Sequence, residues 1–261
     1  MAMRPRKWLE RRTREAAARQ WAAMAEDVEF MSRGRIRGLT DEALSLRSSL
    51  NRFLMRGDRK ATLSRAALAA LPLPGGTDWR WRPGFMAGKI TPRGIAAPQS
   101  GTRLGDRAAV WHDCAERALI LEQVQNPRAT DLSPYGLRLE VFGFSGSFLS
   151  LSIDLPAEAL DGLTRNHVLR LEAMFLVERP INVYARLNIG HGPNTEEMLQ
   201  LLRGMEEGLQ SQQVVEFDLA YTEMNEKRLE KIWLDLIFEA PRMSAVETRE
   251  LFFSRHLRAD F

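Results

Sequence analysis

Cysteine is almost absent. The 261 residues hold one, Cys114, which excludes an internal disulfide and any zinc site built from two or more cysteines. Lysine is scarce as well: there are five, Lys7, Lys60, Lys89, Lys227 and Lys231, so the basic character of the chain is nearly all arginine. No apolar run approaches the roughly 18 to 20 residues that span a bilayer as a helix. The glycine-rich phosphate loops, the H-E-x-x-H zinc motif and the EF-hand loop are all missing. Around Ser145 the run Gly143-Phe-Ser145-Gly146-Ser147 fails the G-x-S-x-G pattern, because its last position is serine. It reads instead as a glycine-containing hairpin turn. The first residues have no apolar stretch and are charged from Arg4 through Arg19, which argues against a secretory signal and predicts a cytoplasmic setting. An arginine-rich presequence is disfavoured by Glu10, Glu15 and Glu26.

What is present describes a globular chain. Hydrophobic residues are 44% and charged residues 27% of the sequence, ordinary values that exclude wholesale disorder. The net charge of +3 hides an asymmetry: residues 1–60 carry +7 and the remainder −4. Arginine suits forked contacts to carboxylate or phosphate, though a GC-rich genome yields the same bias.

Three parts follow from pattern. Residues 1–72 are expected to be a basic helical region. A first helix over 5–31 carries an apolar stripe of Trp21, Met24, Val28 and Met31 and stops at Gly34 and Gly38. A second over 41–56 has Thr40 as N-cap, a stripe of Leu46, Leu50, Phe53 and Leu54, and a stop at Gly57. A third runs from Leu63 to Leu71. Residues 73–107 are Gly- and Pro-rich without a period, an irregular connection expected to lie on the next domain through Trp79, Trp81 and Phe85. From 108 to 261 the period falls to two. Clear alternation in Gly136-LRLEV, FLSLSIDL, VYARLNI, VEFDLAY and IWLDLIFE, with weaker segments at 118–124, 168–177 and 248–253, predicts about eight antiparallel strands. The fold class is therefore mainly β: a jelly-roll-like sandwich preceded by helices, with an immunoglobulin-like sandwich as the second choice. One helix is expected inside it, Thr195–Gly204 with Asn194 as N-cap.

Candidate chemistry gathers on strand faces and loops. Tyr184, Arg186 and Asn188 share one face of their strand; Glu216 and Asp218 share another, as do Trp233, Asp235 and Glu239. Aromatic faces take the apolar side of a pyranose, and fixed carboxylates and amides take hydroxyls. The loops add His191 and Asn194 from the IGHGPN run and Asn225 from TEMNEK. Each of these also has a plain structural reading, as a wet sheet face or a tight turn. Trp111-His112-Asp113-Cys114 places two possible metal ligands on one face if it is a strand, but further ligands are lacking, and neither a metal nor a cofactor is expected. The first helix sets Arg6, Lys7, Trp8, Arg11, Arg12, Arg14, Arg19 and Trp21 together. That composition fits an anionic membrane surface or a protein partner; no nucleic-acid module accompanies it.

Long strings also carry a resemblance. TDWRWRP, WHDC, NPRATDLSPYGLRLEVFGFSGSFLSLSIDLP, RPINVYARLNIGHGPNTEEM, FDLAYTEMNEKRLEKIWLDLIFEAP and the terminal FSRHLRADF resemble an uncharacterised bacterial family known as a domain of unknown function. The likeness covers residues 77–261 and, more loosely, the N-terminal helices. It implies a bacterial cytoplasmic setting and brings no activity, ligand or catalytic residue. The residues themselves predict a non-catalytic protein that recognises a carbohydrate or glycoconjugate through a polar and aromatic sheet face. A protein-interaction or peripheral inner-membrane scaffold is the alternative, and a glycan-active enzyme with paired carboxylates is the third.

Overall fold

The computed structural model describes residues 5–65, 71–128 and 131–258; within the helices, side chains are described for 12–47, 49 and 50. The chain divides into two compact units, Met1–Asp58 and Arg59–Phe261.

The first unit is helical. Helix α1 spans Pro5–Glu26, a single 3-10 turn covers Val28–Phe30, and α2 begins at Arg33 and runs to Arg65. The expected stops at Gly34, Gly38 and Gly57 do not interrupt α2. A helical glycine costs only about 1 kcal/mol, less than a turn of good helix formers supplies. Thr40 is not an N-cap either: its hydroxyl donates back to the Ile36 carbonyl at 2.8 Å. The third helix expected from Leu63 merges into α2 as far as Arg65, and 66–70 lie outside the described residues. Trp21, Met24 and Met31 from the predicted stripe meet Ile36 and Leu39 across a small apolar cleft of about 170 Å³.

The second unit is a sandwich of two antiparallel sheets. Its strands are β1 (Thr77–Trp81), β2 (Gly94–Ala96), β3 (Thr102–Leu104), β4 (Ala108–His112), β5 (Leu119–Gln125), β6 (Tyr135–Phe142) and β7 (Leu149–Asp154). They continue with β8 (His167–Val177), β9 (Val183–His191), β10 (Asn194–Leu202), β11 (Gln210–Asp218), β12 (Leu229–Phe238) and β13 (Met243–Leu257). One sheet has the order β11-β8-β13-β6-β5-β2, with β1 also paired to β13; the other has the order β10-β9-β12-β7-β4-β3.

The pairing reveals the winding. β6 pairs β13, β7 pairs β12, β8 pairs β11 and β9 pairs β10. Residues 135–257 are thus one long antiparallel hairpin rolled up so that successive pairs alternate between sheets. This is the jelly-roll connectivity. β4 with β3, and β5 with β2, widen the two sheets. Between the layers lie the apolar positions of the alternating strands: Leu171 and Phe175, Leu187 and Ile189, Leu234 and Phe253 are each no more than 1% exposed.

Three expectations are corrected here. Residues 194–202 form strand β10, not a helix. Gly192-Pro193 is a two-residue turn, with Gly192 at φ +59°, and His191 pairs Asn194 across it; it is the tip of the rolled hairpin. The Gly143–Phe148 stretch is not a hairpin turn either, because β6 and β7 lie in opposite sheets. The connection at 73–107 holds β1, a helical turn at Gly84–Ala87, β2 and β3, strands too short to register a period. Phe85 there is fully buried, and Trp79 and Trp81 pack against the core.

Candidate functional site

The outward face of the six-stranded sheet is a groove of about 660 Å³. Strand register sets its floor. Across the strands run the rows Glu197–Asn188–Trp233–Asp154, Leu199–Arg186–Asp235–Ser152 and Leu201–Tyr184–Ile237–Ser150, the last continued by Trp111. Every second residue of β9, β12, β7 and β4 points out of the core, and these positions carry the polar and aromatic side chains. The groove itself is lined by Arg103, Trp111, Ser152, Arg186, Trp233 and Asp235, among others.

At its centre is a fixed ionic cluster. Asp235 is 5% exposed, and one oxygen, Oδ2, accepts from Arg186 Nη2 at 2.9 Å, Arg186 Nε at 3.3 Å and Asn188 Nδ2 at 3.0 Å. Arg186 also reaches Glu197 Oε2 with Nη1 at 3.4 Å. A charge taken out of water needs such pairing, so the carboxylate and the guanidinium hold each other in place. Toward β3, Arg103 pairs with Asp154. Ser150 Oγ, on the floor, has no hydrogen-bond partner among the described residues.

Two tryptophans stand on this face in different ways. Trp111 is 47% exposed. The edge of its indole lies against Gly101, where an added Cβ would come within 3.2 Å of the ring. Gly101 therefore supplies both a turn at φ +82° and the room in which the indole rests. Trp233 is half-buried, and Lys231 Nζ sits 4.1 Å above its ring centroid, a cation–π contact. Lys231 reaches that position because its opposite neighbour is Gly190, where a side chain would meet Lys231 Cγ at 3.1 Å.

The loop at the rim is clamped by Asp113. Its Oδ1 accepts from the Ser147 and Phe148 amides at 2.7 and 3.1 Å, and Oδ2 accepts from Ser147 Oγ at 2.5 Å. These bonds, the Ser147 hydroxyl first, hold its carboxyl below the ordinary range. They fix Phe148, 45% exposed, at the groove wall.

Of the residues singled out from sequence, Tyr184, Arg186, Asn188, Trp233 and Asp235 stand together on this face. Asp218 does not: it is on β11 in the opposite sheet, where Oδ1 caps Ala220 N at 3.0 Å and Oδ2 pairs with Arg258 at 3.1 Å. His191, Asn194 and Asn225 gather at the hairpin tip, away from the groove lining. The buried His191 ring accepts from Asn225 N at 3.2 Å, and Asn194 is exposed at the start of β10. Trp111, Arg103, Lys231, Asp154 and the two serines complete the groove and were not among the ligand candidates. Trp111 was signalled by its polar-side position in Ala108–His112; the others needed the register.

His112 and Cys114 are both engaged elsewhere. His112 Nε2 lies 3.0 Å from the Pro98 carbonyl, and Cys114 Sγ lies 3.6 Å from Glu116 and 3.7 Å from Ser145. Among the described residues no group of three His, Cys, Asp or Glu side chains is placed to hold a metal ion. In the helical unit, Arg12 and Arg19 are exposed, Trp21 lines the apolar cleft, and the side chains of Trp8 and Arg11 lie outside the described residues.

Comparison with solved structures finds matches at low similarity. The CBM22-1 xylan-binding domain from Paenibacillus barcinonensis is 12% identical, with 73% of this chain and 100% of that one covered and a TM-score of 0.39. A family 11 carbohydrate-binding module from Clostridium thermocellum is 8% identical over 62% and 96% of the two chains, with a TM-score of 0.40. The enzymatically active domain of bacteriophage CBA120 tailspike protein 4 is 3% identical; 56% of this chain matches 19% of that one, with a TM-score of 0.41. At these scores the likenesses carry no argument about what this chain binds. No curated protein matches the sequence. A family model does, over residues 1–261, and the chain belongs to that family, the family of unknown function DUF6478.

Proposed function

We propose that this protein is a non-catalytic binding protein that recognises a carbohydrate or glycoconjugate chain on the open face of its six-stranded sheet. One observation carries the reading: an exposed tryptophan, Trp111, stands at the wall of a groove whose floor is a pre-fixed Arg186–Asp235–Asn188 cluster. The indole offers an apolar plane for a sugar ring. The fixed polar groups need no reordering on binding, which lowers its entropic cost. The groove is open to solvent rather than an enclosed cavity, which suits a chain.

Two carboxylates do lie in the groove, Asp154 and Asp235. Each is taken up by an arginine at hydrogen-bond distance. Glycoside hydrolysis requires one carboxyl to serve as the proton donor, and here each is engaged by a guanidinium. The groove therefore supports binding rather than cleavage.

The test is a glycan array probed with the full-length chain, followed by calorimetric titration of the best glycan. Trp111→Ala is expected to weaken that binding by about tenfold or more, since burying one aromatic ring contributes about 1.5–3 kcal/mol. Thermal unfolding should be nearly unchanged, because the ring is half in solvent. Unchanged affinity in a folded Trp111→Ala variant overturns the proposal.

A further inference from the structure

Three cations and three carboxylates stand on this face, but they are not paired one to one. Arg103 is paired with Asp154, and Arg186 with Asp235 and Glu197. Lys231 has no carboxylate partner among the described ion pairs; its ammonium rests on the Trp233 ring at 4.1 Å. It is exposed, and its stem lies over Gly190 on the neighbouring strand. A lysine braced on an indole is an ammonium held ready for an anion, with little side-chain freedom left to lose.

This arrangement also divides the work of the two tryptophans. Lys231 occupies the face of Trp233, so a sugar does not stack there without displacing it. Trp111 has its edge on Gly101 and nearly half its surface in solvent, which makes it the stacking platform. Register gives their separation. Trp111 shares a row with Ile237, and Lys231 is six residues nearer the start of β12. At the rise of an antiparallel strand the two rows lie about 20 Å apart along the groove, and the Trp233 row, on whose ring the ammonium rests, lies about 13 Å from that of Trp111.

Resting on the carbohydrate reading above, we infer that the ligand is an acidic oligosaccharide, stacked at one end on Trp111 and held at the other by an ion pair from a carboxylate, sulfate or phosphate group to Lys231. A neutral chain leaves that ammonium unmatched, and a single acidic sugar is too short to reach both ends.

The experiment uses an array of matched pairs probed with the full-length protein. Uronate, sulfated and phosphorylated oligosaccharides are each printed beside their carboxyl-reduced, desulfated or dephosphorylated counterparts, with the corresponding single sugars. The acidic member of at least one pair should bind measurably tighter at low salt, by up to about fivefold, the upper end for one exposed ion pair. That advantage should shrink as salt screens it. Lys231→Met should erase it while Lys231→Arg keeps it, and single sugars should show none of it. Equal binding of acidic and neutral oligosaccharides overturns this inference and leaves the carbohydrate reading standing. A preference that survives in Lys231→Met also overturns it. Silence from every spot with folded protein overturns both.

Discussion

Asp113 is a surface carboxylate with both oxygens in use, accepting from two backbone amides and a hydroxyl of the loop that carries Phe148. In sequence it sits inside a run that invites a metal reading, yet its chemistry is that of a loop clamp. Asp113→Asn keeps the shape and removes the charge that strengthens these bonds. The Ser147 and Phe148 amides should then exchange with solvent faster, while the amides of β12 keep their protection. Equal exchange in the variant contradicts the clamp. Glu250 poses the opposite case. It is 5% exposed, and its Oε1 accepts from Arg82 Nε, Ser133 Oγ and Leu251 N at 2.7, 2.9 and 3.2 Å. Burial pushes its carboxyl above the ordinary range, with Arg82 acting against the rise. A carboxyl raised in the fold contributes stability that is present below its unfolded pKa and lost as pH climbs through the folded value. Glu250→Gln keeps an acceptor for all three donors and has no proton to lose. The stability of the variant relative to the native protein should therefore rise as pH increases from about 4 toward neutrality. Parallel melting curves across that range contradict this account.

Among the elements, the hairpin of β9 and β10 shows where local pattern misleads. Thr195–Leu202 is rich in Glu, Met, Leu and Gln, all good helix formers, and an edge strand has one partner and a weak burial signature. Pairing with β9 decides the outcome, and the two-residue Gly192-Pro193 turn fixes the register. Gly192 is required there: at φ +59° a side chain is strained, and a Cβ would sit 2.9 Å from the Arg228 guanidinium. Gly192→Ala should cost about 1–2 kcal/mol, a fall of roughly 2–8 °C in Tm for a unit of this size. An unchanged Tm means that the turn is not held as described. The opposite error occurs in α2, where glycines read as stops lie inside one helix. Glycine weakens a helix without ending it unless the next residues also leave helical geometry. The inner strands were legible because they alternate cleanly between core and water, and their apolar positions are the ones now found between the sheets.

For the whole molecule, period-two patterning was enough to give an antiparallel sandwich but not its winding. Alternation says which residues of one strand share a face. It does not say which sheet the strand joins, and that is why Asp218 was grouped with Arg186 and Trp233 though it belongs to the opposite layer. The same limit hid Lys231, Asp154 and Arg103: they enter the groove only once β12, β7, β4 and β3 are laid side by side. Tyr184, Arg186, Asn188, Trp233 and Asp235 were legible together because two adjacent strands carry them all. The central claim is that this assembled face binds a glycan chain with Trp111 as its platform. The most direct measurement is calorimetric titration of the full-length protein and its Trp111→Ala variant with the strongest glycan from an array. The account predicts saturable binding to the native protein and a loss of about tenfold or more in the variant. Binding that is equal in both, or absent from folded native protein across the array, contradicts it.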